Sequence, residues 1–278
     1  MAGLRITVGY LYPDIMSTCG DRGNVETIVR RCEWRGIAAD VTELRLGDCL
    51  RPDALDLIII GGGDEPRQAL VAPDLRTVKG SGIREAVALG AAALAVGGSY
   101  ELFGRFCQPE RGAELPGISL FDTWTIRHSE SLSGRYGTIP PARSDRGAGE
   151  LVVRWRDTLL VGRENHGGST YLGTTARPLG HVLSGRGNNG DGTEGVMLGA
   201  AIGTYLRGPC LPKNPGLADF LIRAAVTRRY GAADLPSLAD NLEEVARATS
   251  IQRARDAQRP ARAKLRSALA TARPGGGR

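Results

Sequence analysis

Between residues 95 and 104 the chain reads Ala95-Val96-Gly97-Gly98-Ser99-Tyr100-Glu101-Leu102-Phe103-Gly104. This segment ends an apolar run that begins at Ala91 and continues into a pattern typical of a helix. A buried strand, a sharp turn of small residues and a helix form the arrangement that raises a nucleophile above the edge of an α/β sheet. Small residues are needed because such a turn is strained and tightly packed. Gly97, at the apex, carries no side chain that could attack a substrate.

Further motifs flank this turn in a fixed order. Upstream lie Asp21-Arg22-Gly23-Asn24 and Gly61-Gly62-Gly63-Asp64; downstream lie Glu164-Asn165-His166-Gly167-Gly168, Gly187-Asn188-Asn189, Glu194-Gly195, Gly203 to Pro209 and Leu211-Pro212-Lys213-Asn214-Pro215. Each motif is a weak signal alone, whereas the set in one register is a strong one. Over about 240 residues the chain resembles the CobB/CobQ-type class I glutamine amidotransferases, and within them the GatD-like glutaminase subunits.

The resemblance implies the flavodoxin-like, doubly wound, mostly parallel sheet of class I glutamine amidotransferases. The alternation of strand and helix patterns predicts the same α/β class. Strands are predicted at residues 6–11, 39–44, 55–60 and 91–96, helices at 24–36, 82–89 and 217–230, and a hairpin at 151–155 and 158–162. We expect one GatD-like domain over residues 1–240, followed by a basic Ala/Arg-rich tail over 241–278. The tail is predicted to be helical up to Pro260, which should break or restart the helix, and disordered at its glycine-rich end.

Three positions depart from the family pattern. The family has its nucleophilic cysteine where Gly97 stands and its histidine base where Arg207 stands in Tyr205-Leu206-Arg207-Gly208-Pro209. Arginine, with a pKa above about 12, cannot act as a general base at neutral pH. The arginine that should hold the carboxylate of glutamine is replaced by Ser131, and Arg127 is the nearest side chain that could compensate. Losing one member of a catalytic triad can cost roughly 10⁴- to 10⁶-fold in turnover, so the three changes together indicate a pseudoenzyme.

The resemblance also implies a pocket at the carboxyl ends of the strands. Its predicted residues are Gly62, Gly63, Asp64, Gln68, Gly98, Ser99, Asn165 and His166. Backbone N–H groups of the glycine loop and the turn would form an oxyanion hole, although a triple glycine by itself more often marks an ordinary tight turn. Ser99 as a replacement nucleophile and His166 as a relocated base are alternatives. We favour a serine directed along the following helix and a hydrogen-bonded core histidine.

Composition limits the class of protein. With 278 residues and 41% hydrophobic content, the chain can bury the core of one domain. It has neither an apolar run long enough to span a membrane nor the pattern of a secretory signal, so we expect a cytoplasmic protein. The five cysteines are scattered and form no C-x-x-C pair, which predicts free thiols and no metal site. Cys107 and Cys210 lie outside the turn and are predicted to be incidental.

The positive charge is concentrated in the tail. Residues 251–278 carry a net charge of +7, so the rest of the chain sums to −1. A basic segment can bind nucleic acid or an acidic membrane surface. Because no aromatic residues are interleaved with these charges, a solvated helix or an arm that docks on a partner subunit is the favoured interpretation, and nucleic acid is not an expected ligand.

Three functional hypotheses remain open. The first is a non-catalytic scaffold or regulatory partner, in a heterodimer, of a Mur-ligase-like (MurT-like) amide-forming enzyme. In the family that partner binds ATP and magnesium, so no cofactor is expected on this chain. The second is an active glutaminase subunit supplying ammonia for amidation of D-glutamate in lipid II. The third is a binding module in which Arg207 holds a small ligand by its carboxylate or phosphate.

Overall fold

A computed structural model describes residues 3–127, 147–232 and 234–271, with the side chains of the last helix described as far as Gln258. The strands are β1 (Arg5–Leu11), β2 (Ala38–Leu44), β3 (Leu57–Ile60), β4 (Ala92–Val96), β5 (Phe106–Gln108), β6 (Leu115–Pro116), β7 (Thr123–Arg127), β8 (Gly147–Trp155), β9 (Thr158–His166), β10 (Gly168–Leu172), β11 (Gly180–Ser184), β12 (Thr193–Glu194), β13 (Val196–Leu198) and β14 (Ala201–Thr204). The helices are α1 (Arg22–Glu33), α2 (Glu65–Asp74), α3 (Gly80–Ala88), α4 (Gly98–Phe103), α5 (Pro215–Tyr230) and α6 (Asn241–Thr271).

The centre of the molecule is a six-stranded sheet in the order β13-β14-β4-β3-β1-β2. The strands from β14 to β2 pair in parallel, and β13 joins the edge in the antiparallel direction. β3 and β4 are buried along their whole length. A strand covered on both faces needs apolar residues at every position, which explains why these two read as continuous apolar runs. The predicted α/β class with a doubly wound, mostly parallel sheet is confirmed.

The remaining described strands form two smaller four-stranded sheets, with the strand orders β10-β7-β5-β6 and β12-β11-β8-β9. The predicted hairpin is confirmed, since β8 and β9 pair antiparallel from Gly147↔His166 to Trp155↔Thr158. Arg156, in its two-residue turn, has a φ of 54°, in the left-handed region that tight hairpin turns require. The far end of β9 carries Asn165 and His166.

The predicted helices are present, but α2 was not predicted. Pro66 lies in the first turn of α2, where its missing N–H has no helical acceptor to lose. The side chain of Asp64 caps this helix by accepting from the N–H of Arg67 at 3.3 Å. Past Pro73 the chain widens into a π-helical turn, Leu75–Lys79, before α3.

The predicted break at Pro260 is wrong, because α6 continues through it. A proline removes one hydrogen bond of the helical ladder, and the alanine- and arginine-rich flanks favour helix on both sides. Nearer its start, α6 packs Ile251 and Ala254 against Val152 and Val161. Residues 272–278, predicted to be disordered, lie outside the described residues. Among the described helices, none is both long enough and apolar enough to cross a membrane.

Candidate functional site

A cleft of about 680 Å³ opens at the carboxyl ends of β3 and β4. It is lined by Thr18, Gly63, Asp64, Glu65, Pro66, Arg67, Gly97, Gly98, Glu101, Glu110, Arg127, Asn165, His166, Gly167, Tyr205 and Arg207. Gly97 forms the sharp turn between β4 and α4, with φ 59° and ψ −120°. Its N–H donates to the carbonyl of Thr204 at 2.8 Å, which ties the turn to the end of β14.

The glycine loop and the turn pack directly against each other. A Cβ on Gly98 would lie 2.4 Å from the carbonyl oxygen of Gly63 and 2.7 Å from Nε2 of Gln68, so only glycine allows this approach. The N–H of Gly62 already donates to Oδ2 of Asp21 at 2.9 Å. The backbone donor that the loop could still offer to an oxyanion is therefore that of Gly63.

The side chain of Arg207 lies over Gly97 and beside Gly62. A Cβ on Gly97 would be 3.1 Å from its Nε, and a Cβ on Gly62 would be 3.0 Å from its Nη2. Nη1 donates to the carbonyl of Asn165 at 2.8 Å, and the backbone of Arg207 exchanges two hydrogen bonds of 3.0 Å with Arg163. Within the described part of the chain, the buried Nε has no acceptor. The two positions that are predicted to depart from the family pattern, Gly97 and Arg207, therefore lie next to each other in the cleft.

Asp21 is a buried carboxylate behind this point. Burial raises its pKa, while the hydrogen bonds from the Gly62 and Cys19 amides and the charge of Arg207 act in the opposite direction. Its Oδ1 has no partner among the described residues.

Arg127 is held by carboxylates on the far wall. Its Nη2 donates to Oε2 of Glu101 at 2.8 Å, and its Nε lies 3.2 Å from Oε1 of Glu65. Gln68 donates to the same Glu101 oxygen at 2.6 Å. Burial disfavours the charge of Glu101, but Arg127 and these hydrogen bonds outweigh it and hold the pKa of Glu101 below its usual value. Arg127 is thus already paired, which opposes the predicted compensation for Ser131; Ser131 itself lies outside the described residues.

His166 is buried at the edge of the cleft. Its ring stacks on that of Tyr205, with the centroids 3.7 Å apart, and its Nδ1 donates to the carbonyl of Gly168 at 3.0 Å. Its Nε2 lies 3.5 Å from Oε2 of Glu164, and no hydrogen bond to this nitrogen is formed among the described residues. The hydroxyl of Tyr205 links onward to Thr170 at 2.6 Å and to Glu101 at 3.1 Å. These contacts are those of a hydrogen-bonded, packed histidine.

Two residues predicted for the pocket lie behind it. The hydroxyl of Ser99 donates to the carbonyl of Gly61 and is fully buried, so it does not reach the cleft. Gln68 is also fully buried, because its amide bridges the Gly98 carbonyl and Glu101. Burial likewise raises the pKa of the Cys107 thiol, and that of Cys210 to about 12. These two thiols are protonated at neutral pH and are poor nucleophiles.

Asparagine residues of the family motifs stabilise the fold. Asn24 accepts from the N–H of Leu211 at 2.9 Å, and Asn188 accepts from that of Gly195 at 2.9 Å. Asn214 both accepts from and donates to the backbone of Val161, at 2.8 and 2.7 Å. All three asparagines are buried. Their presence therefore reports on the architecture and not on catalysis.

The described residues bring together a glycine turn, backbone donors, one unpaired cation and a paired arginine–glutamate couple. No group of three or more metal-ligating side chains occurs within the described ranges. The role of Glu101 was missed from the sequence, although the signal was there: glutamate occupies the place of the glutamine that follows tyrosine in the family's turn.

Comparison with known proteins agrees with this geometry. The GatD subunit of lipid II isoglutaminyl synthase (glutamine-hydrolyzing) from Staphylococcus aureus is 33% identical over 246 residues, which cover 87% of this chain and 92% of that protein. The corresponding subunit from Streptococcus pneumoniae is 29% identical over 86% of this chain and 88% of its own length. The solved structure of PurLQS from Thermotoga maritima gives a TM-score of 0.48 at 14% identity, covering 81% of this chain and 98% of that chain. The model of the CobB/CobQ-like glutamine amidotransferase domain matches residues 7–215, and the protein belongs to this family.

Proposed function

We propose that the chain is a GatD-like subunit that has lost glutaminase chemistry and serves as a scaffold or regulatory partner of a Mur-ligase-like, ATP-dependent amide-forming enzyme. The observation that carries the proposal is the guanidinium of Arg207 above Gly97, with Nε 3.1 Å from the place of a Cβ. Hydrolysis of an amide by this class of site needs a thiolate to attack and an imidazole to protonate the leaving ammonia. Neither group stands at its family position.

The described residues around the cleft support the loss, and none of them offers a replacement. Ser99 donates its hydroxyl to a buried carbonyl, and His166 is packed against Tyr205. Arg127 is paired with Glu101, so its charge is not free to hold the carboxylate of glutamine. The buried amides of Asn24 and Asn214 meanwhile preserve the family's architecture. A subunit with the family's architecture but without its catalytic side chains fits a role in the assembly of a complex.

The partner is proposed from the relatives. Two GatD subunits of lipid II isoglutaminyl synthases are similar to this chain along most of their length. A Mur-ligase-like subunit would bind ATP and magnesium in the cytoplasm, form a heterodimer with this chain, and use free ammonium or another amine.

Ammonia release from glutamine tests the proposal. The chain is co-expressed with its Mur-ligase-like neighbour, and the complex is assayed for ammonia and for amide product, with glutamine or ammonium as the nitrogen source. We expect no release from glutamine, activity of the ligase with ammonium, and loss of that activity when this chain is omitted. Ammonia release by the native complex is compared with that of a complex that contains the Gly97→Cys/Arg207→His double variant.

Release of ammonia by the native complex, in step with amide product, would overturn the loss of chemistry. The alternative, an active subunit that supplies ammonia for amidation of D-glutamate in lipid II, would then stand. A ligase whose rate is the same without this chain would instead contradict the role as a scaffold.

A further inference from the structure

The cleft contains three arginine side chains, and they differ in how their charges are balanced. Arg67 pairs with Asp64 at 2.6 Å, and Arg127 pairs with Glu101 at 2.8 Å. Arg207 has no carboxylate within 4.0 Å among the described residues; Nη1 donates to a backbone carbonyl, and Nη2 has no acceptor there. The cleft therefore holds one unpaired cation at a defined place.

The guanidinium of Arg207 is fixed before any ligand arrives. Its backbone is joined to Arg163 by two hydrogen bonds, its Nη1 is bound to the carbonyl of Asn165, and its plane lies close to two glycines. A planar donor group held in this way loses little conformational freedom when an oxyanion binds. A charge-assisted hydrogen bond to it would also be stronger than one between neutral groups.

A second observation points to a missing partner. The Nε of Arg207 is buried without an acceptor among the described residues. Buried polar groups in native proteins are almost always hydrogen-bonded, and exceptions mark places where water, an ion or a ligand binds. This nitrogen borders the turn of the cleft, since it lies 3.1 Å from the place of a Cβ on Gly97.

The charges of the cleft select the class of ligand. Four carboxylates line it, on Asp64, Glu65, Glu101 and Glu110. A dianion such as phosphate would meet their repulsion, whereas a single carboxylate group matches one unpaired cation. A volume of about 680 Å³ is within the range of clefts that take small metabolites.

We propose that this cleft is a binding site for a small organic carboxylate, held by Arg207. This inference rests on the proposed function, because a site without a nucleophile binds its ligand and does not consume it.

Calorimetric titration of the full chain tests the site, with acetate, L-glutamate and inorganic phosphate as probes and thermal unfolding as the second readout. We expect the carboxylates to bind and to raise the melting temperature, and phosphate to bind more weakly. Arg207→Ala should weaken carboxylate binding about 10- to 100-fold, the usual effect of removing a charged hydrogen-bond donor. Arg51→Ala, which removes an equal charge from an exposed ion pair with Asp53 outside the cleft lining, is the matched control and should stay within about threefold.

Arg207→Lys is a second variant, which tests the inference even if Arg207→Ala fails to fold. It keeps the charge but not the planar fork, so its affinity should fall between those of the parent and of Arg207→Ala. Carboxylate binding that is unchanged in Arg207→Ala, phosphate that binds more tightly than both carboxylates, or no binding of any probe would overturn the inference.

The ammonia assay separates this test from the proposed function. A preparation that neither releases ammonia nor binds a carboxylate leaves the proposed function standing and rules out the carboxylate site. A preparation that hydrolyses glutamine removes the proposed function, whatever it binds.

Discussion

The guanidinium of Arg207 fits above Gly97 because glycine leaves that space empty. A side chain at position 97 would suffer in two ways, from crowding by Arg207 and from a φ of 59°, which disfavours residues other than glycine. Gly199 separates the two effects, since it has the same φ but nothing within 4 Å of its missing Cβ. The two altered positions of the site therefore form one unit.

A double-mutant cycle measures this coupling. Gly97→Cys and Gly199→Cys should each lose about 1–3 kcal/mol of unfolding free energy from backbone strain, and Gly97→Cys should lose more because of Arg207. Adding Arg207→Ala to Gly97→Cys should restore about 0.5–3 kcal/mol of the unfolding free energy that Gly97→Cys loses. Adding it to Gly199→Cys should restore none. Urea unfolding of the parent, the three single variants and the two double variants gives the six values, and strictly additive effects at position 97 would contradict the coupling.

Glu194 sets a pH dependence at a single residue. Desolvation raises its pKa to about 7, against an ordinary value of 4.5, although the hydroxyl of Thr204 and the N–H of Tyr205 donate to its Oε1. Its other oxygen has no partner in the described structure, as fits a protonated acid. A carboxyl whose pKa is raised on folding stabilises the protein below its unfolded pKa, and that contribution is lost as the pH rises through the folded pKa.

The parent should thus lose about 3 kcal/mol of unfolding free energy between about pH 4.5 and about pH 7 because of this group. Glu194→Gln keeps an oxygen for the two donors and cannot ionise, so its unfolding free energy should vary less over the same window. Chemical denaturation of both proteins across that window is the measurement. Parallel curves for parent and variant would assign the titration to another group.

At the scale of elements, the cleft depends on how β7 and α2 meet α4. Arg127 at the end of β7 and Gln68 in α2 converge on Glu101, which is only 2% exposed. Removing one partner of a buried ion pair leaves an uncompensated charge, which is more costly than losing the attraction. The contact links three elements that local sequence patterns treat as unrelated.

Glu101→Gln should therefore lose about 3 kcal/mol of unfolding free energy, because Arg127 would keep only the more exposed Glu65 as a charge partner, beside its hydrogen bond to Oε1 of Gln68. The Glu101→Gln/Arg127→Gln double variant should recover part of the loss, since no buried charge remains. Arg67→Gln, which breaks the exposed pair with Asp64, is the control and should change by no more than about 1 kcal/mol. Equal effects at the buried and exposed pairs would contradict this account.

At the scale of the whole molecule, α6 closes the sheet that contains β8 and β9. Ile251 and Ala254 pack against Val152 and Val161, and Arg247 donates to the hydroxyl of Thr158 at 3.0 Å. A separate ion cluster, in which Arg31 binds Asp219 and Asp240, fastens the chain just before α6 to α1 and α5. The start of the basic tail is thus part of the packed structure.

Two truncations distinguish the packed and the outer parts of the tail. Removing residues 241–278 should expose Val152 and Val161 and cost about 3 kcal/mol of unfolding free energy. Removing only residues 259–278 should leave the melting temperature unchanged, because the packing contacts described for α6, at Ile251 and Ala254, precede that point. Thermal unfolding of the two proteins is the measurement, and equal melting temperatures would show that α6 does not stabilise the fold.

The periodicity of apolar residues in the sequence predicted the elements whose structure depends on neighbouring residues alone. The spacing of Val25, Ile28 and Cys32 predicted α1, and the apolar run to Val96 predicted β4. Helix α2, which begins with a cap from Asp64 and contains two prolines, was not predicted, and the break predicted at Pro260 was wrong because the helix continues through the flanking residues. A proline lowers the stability of a helix locally, but the helix propensities and contacts of the neighbouring residues decide whether the helix forms.

By itself, the sequence determined the α/β class, the order of the family motifs and the absence of a side chain at Gly97, because each follows from residue identity or from short-range periodicity. Only the tertiary structure decided where the guanidinium of Arg207 lies, that Arg127 is paired with Glu101, and that Ser99 faces away from the cleft. These contacts join residues far apart in the chain. Their geometry depends on where strands and loops converge, which no local pattern specifies.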